Sequence, residues 1–320
     1  MKKYIVTGAA GFIGSTVATK LLQDGHSVIG IDCINDAYDT RVKHWRLDTL
    51  YEYERFKLNE LDLTIYDKKW VSEFNGADVV IHLAARAGVR QSVLNPRVYI
   101  SSNVGGTLNV LEAMREAKLK SLVMASTSSL YGANTDQPYS EESDSSKTLS
   151  PYAASKKGAE ALVYTYHHLY GFDTQILRFF TVYGPAGRPD MSIFKFVQAV
   201  IEGRELTLYG DGGERDFTYV DDIAAGVISA TEQSGHNVIN LGGDNPVKIK
   251  QIIEIIENIT GLKAHLRVME RDPSDVPSTW ADITRAKDIL SWTPFISIEE
   301  GIKSVVDWYQ ANRYWAKEVW

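Results

Sequence analysis

The segment KKYIVTGAAGFIGSTVATKLL constrains this chain more than any other. An apolar strand runs into Gly8, Gly11 and Gly14, and an apolar-periodic helix follows. Glycines here allow a tight turn, close approach of backbone to a pyrophosphate and helix packing on the sheet, while the helix N-terminus offers NH groups and positive dipole. The spacing is GxxGxxG rather than GxGxxG, with Phe12 and Ile13 inside it. A second strand, HSVIGID, ends at Asp32. A carboxylate at that place hydrogen-bonds the adenosine ribose hydroxyls and repels a 2′-phosphate. The pattern predicts a dinucleotide site that takes NAD rather than NADP.

Strands and helices alternate as a doubly wound sheet requires. The patterning predicts strands at 3–7, 27–31, 55–61, 78–83, 120–126, 173–179 and 237–241. Helices are predicted near 12–24, 67–74, 104–117, 152–170, 191–202, 220–232, 248–260 and 298–311. The alternation is regular to about residue 180, after which TVYGPAGRPDM and LTLYGDGGERDFTYVDD bring loops rich in Gly, Asp and Arg. The fold class is therefore α/β, a Rossmann-type doubly wound parallel sheet with a smaller C-terminal α/β substrate lobe. The first domain is expected over residues 1–180, with 217–242 returning to it, and the lobe over 181–216 and 243–320. At 320 residues the chain is long for one compact unit, which agrees with two parts.

A net charge of -7 without a basic tract argues against nucleic acid or an anionic membrane as partner. Cys33, the single cysteine, excludes an internal disulfide framework and a cysteine metal cluster. No signal peptide and no apolar run of membrane-spanning length is read, so a cytoplasmic enzyme is expected.

Tyr152 and Lys156 stand in LSPYAASKKGAEAL, four residues apart. On a helix such residues share one face, so the ammonium sits against the phenol and favours its ionised form. A phenol with a reference pKa of about 10 becomes a usable base when a neighbouring cation and a cationic cofactor stabilise the phenolate. That is chemistry for removing an alcohol proton.

TGAAGFIG, HLAA, STSSLYG, YAASK and RFFTVYGP, in this order and spacing, resemble the extended short-chain dehydrogenase/reductase superfamily. Within it IDCINDAYD, LAARAGVRQS, YGDGGERDFTYVDDIAAG and DPSDVPSTWAD most resemble the UDP-glucuronate 4-epimerases. The resemblance implies NAD in the Rossmann domain, tightly bound and recycled, and a UDP-sugar in the C-terminal lobe. It implies Tyr152 as base, Lys156 as its ribose-binding helper and Thr127 as the hydroxyl that hydrogen-bonds the reacting group. Gly8, Gly11, Phe12, Ile13, Gly14, Asp32, Asn35, Asp62, Leu63, Ala84, Ala85 and Asn103 would line the NAD site. Arg215 and Arg271 match positions that hold the UDP pyrophosphate, and Asp275 falls in the same substrate-binding stretch. One departure is Arg86, where many glucuronate epimerases carry an uncharged polar residue. A homodimer is expected, as in the superfamily.

The implied reaction oxidises carbon 4 of the sugar, turns the keto sugar about its pyrophosphate and returns the hydride to the other face. Related dehydratases carry Asp and Glu after the catalytic hydroxyl residue, and a related decarboxylase carries Glu. Here those places hold Ser128 and Ser129. With Thr127 and Thr181 they form a set of hydroxyls able to hold a 6-carboxylate by charge-assisted hydrogen bonds, and Arg188 is the expected partner that orients the sugar or its loop. Epimerisation of UDP-glucuronate without decarboxylation is therefore expected, with a 4-epimerase of UDP-glucose or UDP-N-acetylglucosamine as alternative. A non-catalytic NAD-binding sensor fits less well, since Tyr152, Lys156 and Thr127 are all present.

His167 and His168, in YTYHHLYG, lack a carboxylate or Cys at ligand spacing, and His82 ends an apolar strand where a satisfied structural imidazole is usual. No metal site is expected. Asp221 and Asp222 open an amphipathic segment and read as helix N-terminal acids. The late Trp308, Tyr309, Tyr314, Trp315 and Trp320 read as packing residues.

Overall fold

β1 (Lys3–Thr7) lies inside the main sheet, where its apolar run can be covered on both faces. Tyr4 and Val6 enter one hydrophobic cluster and Ile5 the other, as the two-residue period of a strand demands. The computed structural model describes residues 1–132, 134, 136–270 and 278–319. Around β1 stand β2 (Ser27–Asp32), β3 (Phe56–Glu60), β4 (Val79–His82), β5 (Ser121–Thr127), β6 (Asp173–Phe179) and, from late in the chain, β10 (His236–Leu241). They form a seven-stranded parallel sheet in the order β10-β6-β5-β4-β1-β2-β3. The chain winds outward from β1 through β2 to β3, then crosses to β4 and winds the other way. The carboxyl ends of β1 and β4 flank the point of reversal, where ligands bind in open parallel sheets.

Between β6 and β10 lie β7 (Thr181–Tyr183), β8 (Glu205–Tyr209) and β9 (Glu214–Tyr219), and after them come β11 (Pro246–Lys248) and β12 (His265–Met269). β9 pairs with β7 and β11, and β8 pairs with β12. These small sheets share a hydrophobic cluster with the Ser192–Glu202, Ile249–Thr260 and Ile298–Ala311 helices. Trp308 and Tyr309 pack into that cluster, Trp315 packs against it, and Tyr314 is exposed. Phe217 and Tyr219 belong to this lobe's cluster, whereas Val220, Ile223, Ala281, Ile283 and Trp292 pack with the Rossmann sheet. The chain therefore passes between the two cores several times.

The sequence patterning omits the Thr40–Tyr51 helix and the five short strands β7, β8, β9, β11 and β12. Strands of three to six residues carry too few alternations to stand out from loops. Asp222 also departs from its expected part. Its carboxylate accepts the Phe295 and Ile296 amides at 3.3 and 3.2 Å, and Trp292 Nε1 donates to its carbonyl at 2.7 Å. It docks the C-terminal segment, leaving Asp221 as the half-exposed acid of that first turn, 3.7 Å from Lys20 Nζ.

Candidate active site

Gly8 takes φ +72°, and a Cβ there would stand 2.8 Å from the Ala84 amide nitrogen. A Cβ on Gly14 would lie 2.0 Å from the Gly8 carbonyl oxygen, and one on Gly11 2.8 Å from the same atom. The Phe12–Gln23 helix can thus begin directly against the turn, with its first amides facing the reversal point. Asp32, at the end of β2, accepts the Ala10 amide at 3.1 Å and the Ile34 amide at 2.8 Å. Both bonds aim the carboxylate across the mouth of a long cleft. Gly8, Gly11, Phe12, Ile13, Gly14, Asp32, Asn35, Asp62, Leu63, Ala84 and Ala85 all line this cleft, and Tyr152, Lys156, Arg86 and Arg188 line its far end.

The expected residue that does not line it is Asn103. The Ile100–Gly105 π-turn directs Asn103 inward, where it is 1% exposed. Its Oδ1 accepts the Arg86 amide at 2.7 Å, and Nδ2 donates to the Arg86 carbonyl at 2.9 Å and to Ser155 Oγ at 2.8 Å. Asn103 supports the wall from behind and ties it to the helix that bears Tyr152. His82 does similar work. Ala84 N donates to Thr7 Oγ1 at 3.1 Å, so the Thr7 hydroxyl is left to donate to His82 Nδ1 at 2.7 Å. His82 Nε2 then donates to Thr107 Oγ1 at 3.0 Å, which in turn donates to the Asn103 carbonyl at 2.6 Å. Burial pushes the imidazole down to about 3, keeping it neutral. It is a satisfied structural imidazole, as its place at a strand end suggests.

The Pro151–Tyr170 helix starts where Ser150 Oγ accepts the Ala153 amide at 3.1 Å and Pro151 sets the first helical residue. This start puts Tyr152 in the first turn, with Lys156 one turn on. The Tyr99 ring packs edge-on against Tyr152 at 6.2 Å. Burial raises the Tyr152 phenol above its ordinary value, while the Thr127 hydroxyl, by hydrogen bonding, and Arg188, by its charge, pull it back. Arg188 and Lys156 line the same end of the cleft as Tyr152, so the phenol has a second cation near it besides the lysine that the sequence suggests. Lys156 is itself 2% exposed, and burial pushes it down to about 8 against the opposing charge of Glu160. Behind it Glu160 accepts from Ser126 Oγ at 2.7 Å and from Arg178 Nε and Nη2 at 3.0 and 2.9 Å. Burial raises the Glu160 carboxyl, but the Arg178 bonds and charge together with Ser126 outweigh it and hold the group ionised.

A second hollow adjoins the Tyr152 end. Ser128, Ser129, Thr181 and Arg215 line it together with Tyr139 and Thr279. β5 ends at Thr127, whose Oγ1 accepts the Ser129 amide and donates to Ser129 Oγ, both at 3.2 Å. Arg215 is brought in by β9, paired across from Val247 of β11. Arg188 stays on the cleft side, donating to Asp190 through Nε at 3.0 Å and Nη2 at 2.5 Å. Arg271 and Asp275 lie outside the described residues.

Among the cleft residues that escape sequence reasoning are Lys43 and Tyr38. Lys43 is 4% exposed, donates to Asn35 Oδ1 at 3.1 Å and stands 5.1 Å from the Tyr38 ring centre. Its signal, a cation three residues before another in VKHWRL, reads equally as a solvated helix face. No cluster of three or more His, Cys, Asp or Glu suited to a metal occurs among the described residues.

The arrangement offers a cradle for a dinucleotide, a half-buried Tyr152 with buried Lys156 and Thr127 at its end, and a polar hollow beyond. The model of the NAD dependent epimerase/dehydratase family matches residues 4–242. A UDP-glucuronate 4-epimerase of Thermodesulfobacterium geofontis is 52% identical over 315 residues, covering 98% of this chain and 97% of the relative. The crystal structure of UDP-glucuronic acid 4-epimerase from Bacillus cereus in complex with UDP-glucuronic acid and NAD matches with a TM-score of 0.90. It is 36% identical, over 97% of this chain and 99% of that one. A UDP-N-acetylglucosamine 4-epimerase from Methanobrevibacter ruminantium, in complex with UDP-N-acetylmuramic acid, matches with a TM-score of 0.89 at 30% identity, over 97% of this chain and 99% of that one.

Proposed function

We propose that this chain, which belongs to the NAD dependent epimerase/dehydratase family, interconverts UDP-glucuronate and UDP-galacturonate through a transient 4-keto sugar, without loss of carbon dioxide. The observation that carries the reading is the convergence at one place of three things. These are the glycine-and-Asp32 cleft, the Tyr152–Lys156 pair at its end and the hollow of Ser128, Ser129 and Thr181 beyond. The relative that is 52% identical over nearly the full length carries that activity in its name.

The residues fit NAD, since every glycine of the loop stands where a Cβ would meet backbone and Asp32 is fixed at the ribose end. When bound, NAD accepts the hydride of carbon 4 and returns it. Tyr152 takes the proton of the 4-hydroxyl, Thr127 passes or steadies it, and Lys156 supplies a buried cation on the ribose side. Arg215, and by resemblance Arg271 and Asp275, hold the constant UDP end while the hexose turns over. Binding concentrated on the part that does not react leaves the reacting ring free to present either face. Tyr152 then returns the proton.

Oxidation at carbon 4 makes a uronic acid into a β-keto acid, which loses carbon dioxide when the breaking bond stands perpendicular to the carbonyl plane. Ser128, Ser129, Thr181 and Thr127 are assigned to hold the carboxylate away from that angle. Each tenfold of suppression needs about 1.4 kcal/mol, within reach of one charge-assisted hydrogen bond. The proposed domain division puts residues 1–180 with 217–242 in the cofactor domain and 181–216 with 243–320 in the sugar-nucleotide lobe, with Ser128 and Ser129 reaching the sugar from the cofactor side and Phe217, Tyr219, Ala281, Ile283 and Trp292 packing across the boundary. A homodimer is part of the proposal, supported by exposed Ile100, Leu108, Tyr164 and Leu169 on adjoining helices. So is a cytoplasmic enzyme supplying an activated uronic acid to polysaccharide synthesis.

The test is to incubate purified protein, with no added NAD, with UDP-glucuronate, UDP-glucose and UDP-N-acetylglucosamine separately, and to follow sugar configuration and carbon dioxide by NMR. Conversion of UDP-glucuronate to UDP-galacturonate with no pentose is expected. Turnover of the neutral sugars alone would replace the uronate by the second reading, a neutral-hexose 4-epimerase. That reading is supported by the match to a UDP-N-acetylglucosamine 4-epimerase.

A further inference from the structure

Arg46 carries a buried charge that the reaction itself does not use. It sits on the Thr40–Tyr51 helix, 3% exposed, and its hydrogen bonds run to uncharged oxygens. Nη1 donates to the Ala10 carbonyl at 3.0 Å and to the Tyr38 hydroxyl at 2.6 Å, while Nε and Nη2 both donate to the Ala186 carbonyl, at 3.0 and 2.6 Å. The guanidinium also lies over the rings of Phe12 and Tyr38, 5.8 and 5.5 Å from their centres. One side chain thus joins three separate stretches: the glycine loop through Ala10, the stretch after Asp32 through Tyr38, and the turn before Arg188 through Ala186.

That last turn is strained. Ala186 takes φ +50°, a left-handed conformation that residues with a Cβ rarely adopt. Such strain persists where the surroundings over-determine the backbone, and two donors on one carbonyl do so here. Two residues on, Arg188 enters the cleft, and its charge acts on Tyr152. The helix that carries Arg46 is itself held from the lobe side. Val42 belongs to the lobe's hydrophobic cluster, and Trp45 packs edge-on against Trp308 at 5.4 Å. A change at the guanidinium therefore leaves the seating of the helix in place.

We propose that Arg46 is a positioning residue that couples retention of the dinucleotide to the placement of Arg188 beside Tyr152, by holding the glycine loop, the Tyr38 stretch and the strained Ala186 turn in one arrangement. The inference rests on the NAD-dependent reading above. A lysine cannot replace the fork, because an ammonium has no planar set of donors to span carbonyls on two sides. Without the fork, the glycine loop and the Ala186 turn order independently. Binding of cofactor and of sugar nucleotide then each carry an ordering cost that the native protein has already met.

The experiment compares wild type, R46K, R46Q and, as control, R41A, whose arginine pairs at the surface with Asp39 and Glu318. Circular dichroism melts establish that each is folded. NAD content after purification, NAD affinity of the cofactor-stripped proteins by calorimetry, and kcat and KM for UDP-glucuronate at saturating NAD are then measured. Wild type and R41A are expected to retain NAD. R46K and R46Q are expected to lose it, with Kd raised at least about tenfold (about 1.4 kcal/mol), KM for the sugar nucleotide raised in parallel and kcat within about threefold. Folded R46K with wild-type NAD affinity overturns the proposal, and so does loss of NAD with KM unchanged. A second measurement, on wild type alone, stands if the variants do not fold. Stripping NAD is expected to speed amide hydrogen exchange at 186–188, and unchanged exchange there counts against the coupling. Wild type that neither carries nor binds NAD removes the cofactor reading itself, which distinguishes that failure from the failure of Arg46.

Discussion

The cofactor half of the cleft and the hydroxyl hollow beyond Tyr152 are built by different means. Backbone makes the first: the Gly8 turn, a helix begun against it, and side chains standing at strand ends on the reversal point of the sheet. Side chains make the second, with Ser128 and Ser129 from the end of β5, Thr181 from β7, Arg215 from β9 and Thr279 from further still. A site made by backbone tolerates almost nothing and accepts one shape. A site made by a few hydroxyls on separate elements is tolerant, and its selectivity is a matter of about one or two hydrogen bonds. Tyr152 sits at the seam, so its removal gives the largest effect. Tyr152→Phe is expected to lower kcat by about 10²–10⁴, the usual worth of a positioned acid–base group, with NAD content and UDP binding unchanged. Turnover within tenfold of wild type in a stopped assay would move the base elsewhere and erase the seam.

The contrast is sharpest between one added methyl group and two removed hydroxyls. Gly14→Ala places a Cβ where 2.0 Å separates it from the Gly8 carbonyl, and the obstacle is backbone. We expect a loss of about 1–3 kcal/mol or more in urea unfolding and loss of bound NAD. If Gly14→Ala melts like wild type and keeps its cofactor, the cradle is less rigid than its geometry. Ser128→Ala with Ser129→Ala is expected to leave stability and NAD content near wild type, yet raise carbon dioxide release per epimerisation about tenfold, equal to about 1.4 kcal/mol. Unchanged product purity in the double variant would remove the carboxylate cradle and favour neutral hexoses.

The same difference decides what could be read in the sequence. Asp32 was legible because it ends an apolar strand, and parallel strands bring their carboxyl ends together at the reversal point whatever the loops do, whereas Asp62, Ala84 and Ala85 were named through the family resemblance. Tyr152 and Lys156 were legible as a helical pair. Arg46 and Lys43 were not, since cations three residues apart on a helix ordinarily mark a solvated face. The contacts that bury Arg46 are with Ala10 and Ala186, 36 and 140 residues away. Asn103 shows a different limit. Its place in the motif order suggests contact with the cofactor, whereas a single π-turn sends it behind the wall. The hydroxyl hollow was legible as a list of residues, and only the meeting of β5, β7 and β9 makes that list a place.

The smallest effect probes how rigid the backbone half is. His82 joins Thr7, at the foot of the glycine loop, to Thr107 and so to the segment of Asn103. Its folded value of about 3 lies well below an unfolded value near 6.5. Above about pH 6.5 neither state takes a proton and stability is level. Below it the unfolded chain protonates first, so stability falls with pH by up to about 1.4 kcal/mol per unit until the folded value is reached. Asp216 acts with the opposite sign. Burial pushes it up to about 6 against the hydrogen bonds it accepts from the Ala281 and Gly243 amides, so the folded state protonates first and its contribution is fullest at low pH and lost as pH rises through about 6. The two are separated by comparing wild type with His82→Gln, which keeps a neutral donor and acceptor and leaves Asp216 in place. Urea unfolding at about pH 7 and about pH 5.5 is expected to show wild type losing about 1 kcal/mol more than the variant on acidification. Equal losses would mean that the imidazole reaches solvent in the folded state, and that the wall behind the cofactor opens as readily as the hydroxyl hollow does.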